Sequence, residues 1–274
     1  MNRWLNRVAV VTGASSGIGA ACCKDLVAKG MIVVGLARRE QRLQELKAAL
    51  PAEQAKRFHF HKCDVSVEQE VVDAFAWVDA TLGGADVLIN NAGVLRQTYI
   101  VDAGNSADLR AMVETNVLGV SWCTREAFQS LQRRQINDGH VIIINSIVGH
   151  KIPVLPGQSL NMYPPSKHAV TALTEVLRQE FNSKGTKTKI TVSPMPSPLN
   201  CQLCLKSIDR LSLLQSISPG AVDTEIFSDA AKQQIADMPM LRSEDIADAI
   251  TYCIQTPPNV QIHELTIKPV GEIF

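Results

Sequence analysis

The stretch Thr12-Gly13-Ala14-Ser15-Ser16-Gly17-Ile18-Gly19 is the most informative part of this chain. An apolar run of strand length, residues 8–11, precedes it directly, and a helical pattern, residues 18–29, follows it. Glycines between a strand and a helix let the backbone turn tightly and approach a pyrophosphate, which the helix N-terminus stabilises through its free N–H groups and its dipole. This placement predicts a dinucleotide site at the start of a parallel sheet.

Strand-length apolar runs alternate with helical patterns along the rest of the chain. The predicted strands cover residues 8–11, 32–36, 58–61, 87–89, 141–144 and 265–267, and the predicted helices cover residues 18–29, 40–50, 68–82, 108–132, 165–182 and 243–255. Continuously apolar strands between helices are typical of a parallel sheet that is covered on both faces. We therefore expect a single doubly wound, Rossmann-type α/β domain over residues 1–274.

One segment does not fit this pattern. Residues 188–191 and 216–220 predict the start and the end of a further strand, and the proline-rich residues 192–215 separate them. Proline is foreign to a central strand because it lacks the N–H that the ladder needs. Removing the segment restores an unbroken strand, so we interpret residues 192–215 as an atypical insert, a translated intron or a splice variant.

Composition excludes several other classes of function. Lys plus Arg and Asp plus Glu both number 27, so no net charge attracts nucleic acid or an anionic membrane. The 7 cysteines are odd in number and lie mostly in apolar segments, which favours reduced, buried thiols. Cys201-x-x-Cys204 is one pair with too few ligands for zinc, so we expect no metal site. With no signal-peptide pattern and no apolar run of membrane-spanning length, we expect a cytoplasmic enzyme.

Several motifs occur in an order that is itself informative. Gly-x-x-x-Gly-x-Gly at 13–19 is followed by Cys63-Asp64-Val65, Asn90-Asn91-Ala92-Gly93, Thr115-Asn116-Val117, Tyr163-x-x-x-Lys167 and Pro219-Gly220. With these motifs the chain resembles the short-chain dehydrogenase/reductase family over essentially its full length. The resemblance implies an oxidoreductase that moves a hydride between a nicotinamide cofactor and an alcohol or carbonyl.

The second predicted strand ends at Arg38 and Arg39, where folds that prefer NAD carry an acidic residue for the ribose hydroxyls. Arginines suit a 2′-phosphate instead, so we predict NADP rather than NAD; the alternative is that both arginines are simply solvated. For Asn91 a structural role in a turn stays open beside a cofactor contact. The resemblance implies further cofactor contacts at Gly13, Ser15, Ser16, Gly17, Ile18, Gly19, Asp64, Val65, Asn91, Ala92, Gly93, Tyr163, Lys167, Pro219, Gly220, Val222 and Thr224.

Tyr163 and Lys167 are four residues apart and share a face if a helix runs through them. A nearby ammonium favours the phenolate, so we predict that Lys167 lowers the pKa of Tyr163 and prepares it for proton exchange. Two prolines follow Tyr163, and proline is tolerated in a first helical turn. The resemblance adds two more catalytic residues. Ser146 would bind the substrate oxygen; it follows a predicted strand, whereas the alternative serine, Ser159, lies in a loop. Asn116 would interrupt a helix and hold a water.

The loop after Ser146 is largely apolar, which favours an apolar alcohol or ketone as substrate. We predict substrate contacts at Ser146, Val148 and Leu95; the alternative is that these residues only pack the loop. The stretches at 35–39 and 161–167 resemble the insect farnesol dehydrogenase group and the vertebrate family member 11 dehydrogenase/reductases. These resemblances imply oxidation of farnesol to farnesal, a step toward juvenile hormone, or else keto- and hydroxysteroids and other carbonyls.

Two further expectations concern assembly and activity. The family resemblance implies a homodimer or homotetramer through the helices predicted at 108–132 and 165–182. A rival hypothesis is a catalytically impaired isoform that binds the cofactor without turnover. Only the insert favours this second hypothesis, whereas the intact set of four catalytic residues favours an active enzyme.

Overall fold

A parallel sheet runs through the structure, a computed structural model that describes residues 1–153, 159–191, 216–226, 239–260, 262 and 264–271. Its strands are β1 Val8–Thr12, β2 Ile32–Ala37, β3 Phe58–Lys62, β4 Val87–Asn90, β5 His140–Ile144, β6 Lys189–Thr191, β7 Ser216–Pro219 and β8 Glu264–Ile267. Their order in the sheet is β3-β2-β1-β4-β5-β7-β8, and β6 also pairs with β5. The order reverses between β1 and β4, the position at which open α/β sheets bind ligands. The doubly wound fold is thus confirmed.

Helices connect the strands in the predicted alternation. The helix predicted at 108–132 is interrupted, because a π-helical turn, Glu114–Leu118, separates the helix that ends at Val113 from the one that begins at Gly119. Of the helices described, none has the length and hydropathy that crossing a bilayer requires. The helices are α1 Gly17–Ala28, α2 Glu40–Ala48, α3 Ala52–Ala55, α4 Glu68–Leu82, α5 Ser106–Val113, α6 Gly119–Arg133, α7 Tyr163–Ser183 and α8 Ser243–Gln255.

The sheet has an apolar core on each face. Successive side chains of a strand point to opposite faces, and all five residues of β1 are buried. Ala9 and Val11 therefore join one core cluster, with residues of α1 and α8. Val8 and Val10 join the other, with residues of α4 and α6. Burial on both faces explains why β1 is a continuous apolar run.

The register beside β5 shows where residues 192–215 leave and rejoin the sheet. In β6, Thr191 pairs with Ile142 of β5, and in β7, Ser216 pairs with Ile143, the next residue of β5. The last residue of β6 and the first residue of β7 thus pair with consecutive residues of β5. The two strands together occupy one strand position in the sheet. Residues 192–215 themselves, with Cys201 and Cys204, lie outside the described residues.

Candidate active site

The carboxyl ends of β1, β4, β5 and β7 border a cleft with a volume of about 340 Å³. Almost all of the residues predicted to bind the cofactor line this cleft, although they are spread along most of the chain. They are Gly13, Ser15, Ser16, Gly17, Ile18, Arg38, Arg39, Asp64, Val65, Asn91, Ala92, Gly93, Tyr163, Lys167, Pro219, Gly220, Val222 and Thr224.

The glycine loop turns from β1 into α1 along one wall of the cleft. Gly13 and Gly17 have φ values of 67° and 53°, a region that residues with a Cβ rarely adopt. Ser16 is the N-cap of α1, and its side chain makes no capping hydrogen bond. Gly19 does not line the cleft, and its predicted cofactor contact stays a prediction. A Cβ there would lie 2.4 Å from the Gly13 carbonyl oxygen, which shows that Gly19 allows α1 to pack closely on the loop.

Thr12 and Asn91 tie the glycine loop to the end of β4. The Asn91 side-chain amide donates to the Thr12 carbonyl at 2.9 Å. The Thr12 hydroxyl accepts from the backbone N–H groups of Asn91 and Ala92, each at 3.0 Å. The structural role left open for Asn91 is therefore present, and Asn91 also lines the cleft. Sequence reasoning missed Thr12, although a threonine that ends a buried strand must find a polar partner.

The two arginines after β2 have different surroundings. The Arg39 guanidinium donates to the Ser15 hydroxyl at 3.0 and 3.2 Å and to the Ser16 hydroxyl at 2.8 Å. Arg38 is more exposed and lies 3.7 Å from the carboxylate of Asp64. The alternative that both arginines are simply solvated is thus wrong for Arg39, which the glycine loop holds at the cleft.

Glu225 is a residue of the cleft that sequence reasoning missed. It accepts hydrogen bonds from Arg39, at 2.7 Å, and from Arg42. The hydrogen bond from Arg42, and to a smaller extent the one from Arg39, lowers the pKa of Glu225 to about 2. The spacing of Arg39 and Arg42 at the start of α2 indicates that their side chains are neighbours. No sequence signal pairs them with Glu225, because the chain separates these residues widely.

Tyr163 and Lys167 lie at the opposite end of the cleft from Arg39. Tyr163 is the first residue of α7, and Pro164 and Pro165 occupy its first turn, where the missing N–H groups need no partner. Lys167 is 6% exposed; its Nζ donates to the Ile144 carbonyl at 2.9 Å and lies 5.7 Å from the centre of the Tyr163 ring. One turn of helix thus places an ammonium beside a phenol.

The pKa values of this pair differ from the prediction. Burial raises the pKa of Tyr163 to about 12, against the opposing effect of a hydrogen bond with Ser146. Burial also lowers the pKa of Lys167 to about 8. The predicted lowering of the Tyr163 pKa is not found in this structure, because burial disfavours the charged phenolate. Tyr163 is a protonated phenol at neutral pH.

Ser146 follows the end of β5, where the sequence placed it. It is the N-cap of a short 3-10 helix, Ile147–Gly149, and its hydroxyl accepts from the Val148 N–H at 3.3 Å. Ser146 lines the cleft and is hydrogen-bonded to Tyr163. A serine hydroxyl and a phenol therefore converge on one point of the cleft, as binding of a single substrate oxygen requires.

Asn116 lies in the π-helical turn, behind the wall of the cleft. Its Oδ1 accepts from the Val94 N–H at 2.8 Å, and its Nδ2 donates to the Val94 carbonyl at 2.9 Å and to the Ser166 hydroxyl at 3.1 Å. Ser166 in turn donates to the Tyr163 carbonyl at 2.7 Å. Asn116 is 1% exposed and does not line the cleft, so it braces the start of α7 against the segment after β4.

The predicted substrate residues divide into two groups. Leu95 and Ser146 line the cleft, whereas Val148 does not and is buried. The burial of Val148 agrees with the alternative of packing alone, and its predicted substrate contact stays a prediction. Sequence reasoning missed Arg96, which lines the cleft and lies 3.5 Å from the Asp108 carboxylate. Residues 154–158 of the apolar loop lie outside the described residues.

Comparison with known proteins agrees with this geometry. The short chain dehydrogenase family matches residues 7–199, so the chain belongs to this family and is an oxidoreductase. Farnesol dehydrogenase of Aedes aegypti is 48% identical over 274 residues and covers 100% of both chains. The mouse dehydrogenase/reductase SDR family member 11 is 37% identical and covers 100% of this chain and 98% of its own.

Solved structures share the fold over nearly the whole length. The closed form of serine dehydrogenase complexed with NADP+ is 25% identical, with a TM-score of 0.78, and the match covers 97% of this chain and 96% of that one. An alcohol dehydrogenase from the archaeon Thermococcus sibiricus, complexed with 5-hydroxy-NADP, is also 25% identical. Its TM-score is 0.75, with 97% of this chain and 98% of that chain covered.

Proposed function

We propose that this protein is an NADP-dependent oxidoreductase that oxidises farnesol to farnesal, or reduces the aldehyde. The convergence of Tyr163, Lys167 and Ser146 on the cleft that begins at the glycine loop carries this proposal. The name of the Aedes aegypti relative supports farnesol as the substrate. Oxidation of an isoprenoid alcohol would place the enzyme on the route to juvenile hormone.

The residues of the cleft fit a phosphorylated nicotinamide dinucleotide. The two glycines with positive φ leave room for a pyrophosphate close to the backbone, at the N-terminus of α1. Arg39, held by two serine hydroxyls, offers a planar donor to a 2′-phosphate. One of the structural relatives is complexed with NADP+ and another with 5-hydroxy-NADP. When bound, the nicotinamide supplies or accepts the hydride.

The chain's own residues hold the substrate oxygen and move its proton. Ser146 donates a hydrogen bond to that oxygen and stabilises charge that develops on it. Tyr163 takes the hydroxyl proton during oxidation and returns one to the oxygen during reduction. Lys167 stabilises the phenolate when it forms and holds the ribose next to the nicotinamide. Asn116 positions Tyr163 through Ser166, and in the family-based proposal it also holds the water that relays protons to Lys167.

Because Tyr163 is protonated at neutral pH, the two directions have different pH dependences. Reduction uses the phenol and oxidation uses the phenolate, so oxidation is expected to accelerate as the pH rises toward the pKa of Tyr163. The test is therefore made with farnesol and NADP+ in alkaline buffer, and with farnesal and NADPH near neutral pH, by following the absorbance of the reduced cofactor.

A steroid or a general carbonyl compound is the second candidate substrate. The mouse family member 11 relative and the apolar Leu95 in the cleft wall favour this alternative. Hydroxysteroids and simple ketones belong in the same assay. Turnover of these compounds without turnover of farnesol would replace the proposed substrate, and cofactor binding without turnover of any of them would contradict an active enzyme.

Replacing Arg39 with Ala is expected to weaken NADP+ binding by about 10- to 100-fold, because a charge-assisted hydrogen bond to the 2′-phosphate is lost. NAD+ binding is expected to change less than about 3-fold, since NAD+ lacks that phosphate. Dissociation constants from quenching of protein fluorescence measure both. Arg133→Ala is the matched control, because Arg133 pairs with Asp79 on an exposed face away from the cleft. Equal losses for the two cofactors would contradict the NADP assignment.

We also propose that residues 192–215 are an insert in one domain and not a second domain. The consecutive register of Thr191 and Ser216 against β5 supports this proposal. The ends of the segment support its origin as a translated intron. The genetic code allows Val192-Ser193 to be written GTAAGT, a sequence with which introns commonly begin, and Gln215 to be written CAG, with which they commonly end.

Deleting residues 192–215 joins Thr191 to Ser216 and is expected to leave a folded enzyme with a Tm at least as high, since closing a long loop costs entropy. Circular dichroism, thermal unfolding and turnover are compared between the two chains. An inactive full-length chain beside an active deletion variant would support the impaired-isoform alternative. A deletion variant that fails to fold would contradict the proposal, as would peptides from this segment in fully active native protein.

A cytoplasmic location and a homodimer or homotetramer complete the proposal. The described cysteines are buried free thiols, as expected in a reducing compartment: Cys22, Cys23, Cys63, Cys123 and Cys253. Cell fractionation and light scattering test these two points.

A further inference from the structure

Glu225 places a carboxylate at the arginine end of the cleft. One of its oxygens accepts from Arg39 and the other from Arg42. The same Arg39 guanidinium donates to the hydroxyls of Ser15 and Ser16. The carboxylate thus binds the arginine that the glycine loop holds in place for a 2′-phosphate.

The backbone that carries Glu225 is fixed to the fold. The Asp223 N–H donates to the Leu241 carbonyl at 2.9 Å. Thr224 packs against the glycine loop so closely that a Cβ at Gly17 would lie 3.0 Å from the Thr224 Cγ2. The contacts of Asp223 and Thr224 therefore fix the backbone next to Glu225 and place its side chain beside Arg39.

The negative charge of Glu225 makes it a competitor of a 2′-phosphate for Arg39. Arg42 and Arg39 hold Glu225 in its ionised form throughout the neutral range, so the two guanidiniums are already shared with one anion. A 2′-phosphate that binds Arg39 brings up to two more negative charges close to that carboxylate. Glu225 must then give up one of its partners. When a nucleotide without this phosphate binds, Glu225 keeps its hydrogen bonds to both arginines.

We propose that Glu225 determines cofactor specificity by competing with the 2′-phosphate of NADP for Arg39. Glu225 lowers the affinity for the phosphorylated nucleotide and leaves the affinity for the unphosphorylated one unchanged. This inference rests on the proposed use of NADP. The pairs of Glu225 are half-exposed, so the phosphate, with its larger charge, wins the exchange and the effect on affinity is moderate.

The test uses two nucleotides that cannot react, adenosine 2′,5′-bisphosphate and adenosine 5′-monophosphate, in calorimetric titrations of the full chain. Glu225→Gln is expected to tighten binding of the bisphosphate by about 3- to 10-fold and to change the monophosphate by less than about 2-fold. Glu68→Gln is the matched control, because Glu68 and Arg125 form a pair at 2.8 Å with half-exposed side chains outside the cleft. It is expected to change neither affinity.

Arg42 provides a second variant. In the Glu225→Gln background Arg42 is released and becomes available to the phosphate, so adding Arg42→Met is expected to remove most of the gain. If Glu225→Gln binds the bisphosphate no more tightly than the wild type does, the inference is overturned. The proposed cofactor still stands in that case, provided that the wild type prefers the bisphosphate to the monophosphate. A wild type without that preference contradicts the proposed cofactor. A preference that appears only in Glu225→Gln supports competition by Glu225.

Discussion

Replacing Tyr163 with Phe is expected to lower the turnover number by about 10³- to 10⁴-fold, the upper part of the range for loss of a general acid–base group. The phenol is the group in the cleft that can exchange a proton beside Ser146, and Phe keeps the ring while removing that proton. Cofactor binding is expected to stay within about 3-fold of wild type, because the lost hydroxyl acts on the reacting oxygen. Steady-state kinetics and fluorescence titration measure the two quantities separately.

Tyr252→Phe is the control for Tyr163→Phe. Tyr252 is 54% exposed on α8 and does not line the cleft, so its hydroxyl is expected to be dispensable. A Tyr163→Phe enzyme that keeps a tenth or more of the wild-type turnover would remove Tyr163 from the catalytic role.

Replacing Lys167 with Met is expected to lower turnover by about 100-fold or more and also to raise the KM for the cofactor, since Lys167 serves both the phenolate and the ribose in the proposed mechanism. The fold is expected to survive. The buried ammonium has a pKa lowered to about 8, so its burial is unfavourable, and Met fills a similar volume without a charge. The loss of a donor to the Ile144 carbonyl offsets part of this gain.

Lys184→Met, at the exposed end of the same helix, is the control for Lys167→Met. Thermal unfolding of both variants separates a loss of fold from a loss of chemistry. A Lys167→Met enzyme with lowered turnover and an unchanged cofactor KM would contradict the ribose contact, and one with full turnover would contradict both roles.

The fold was predictable because its signals are local. The apolar run of β1 and the glycines that follow it stand next to each other in the chain, and backbone sterics alone dictate what such a stretch can form. The π-helical turn at Asn116 was predicted only through family resemblance, as an interrupted helix. The apolar pattern of residues 108–132 continues across it and does not reveal it.

Other features of the site depend on tertiary contacts. The pKa of Tyr163 follows from burial, which the spacing of Tyr163 and Lys167 does not reveal. Gly19 and Val148 belong to the predicted motifs but do not line the cleft, and the motifs do not reveal this because it depends on packing. Glu225 meets Arg39 only because β7 ends beside the glycine loop, and a single sequence holds no signal for a pairing over that distance.

The central claim is direct hydride transfer between an alcohol carbon and NADP, and isotope transfer tests it most directly. Farnesol that carries two deuterium atoms at its alcohol carbon is incubated with NADP+ and the protein. The cofactor and the product are then analysed by mass spectrometry and NMR. The account predicts one deuterium at C4 of the reduced nicotinamide, and farnesal that retains the other. Reduced cofactor without deuterium, or no reduced cofactor from any alcohol by a protein that binds NADP+, would contradict it.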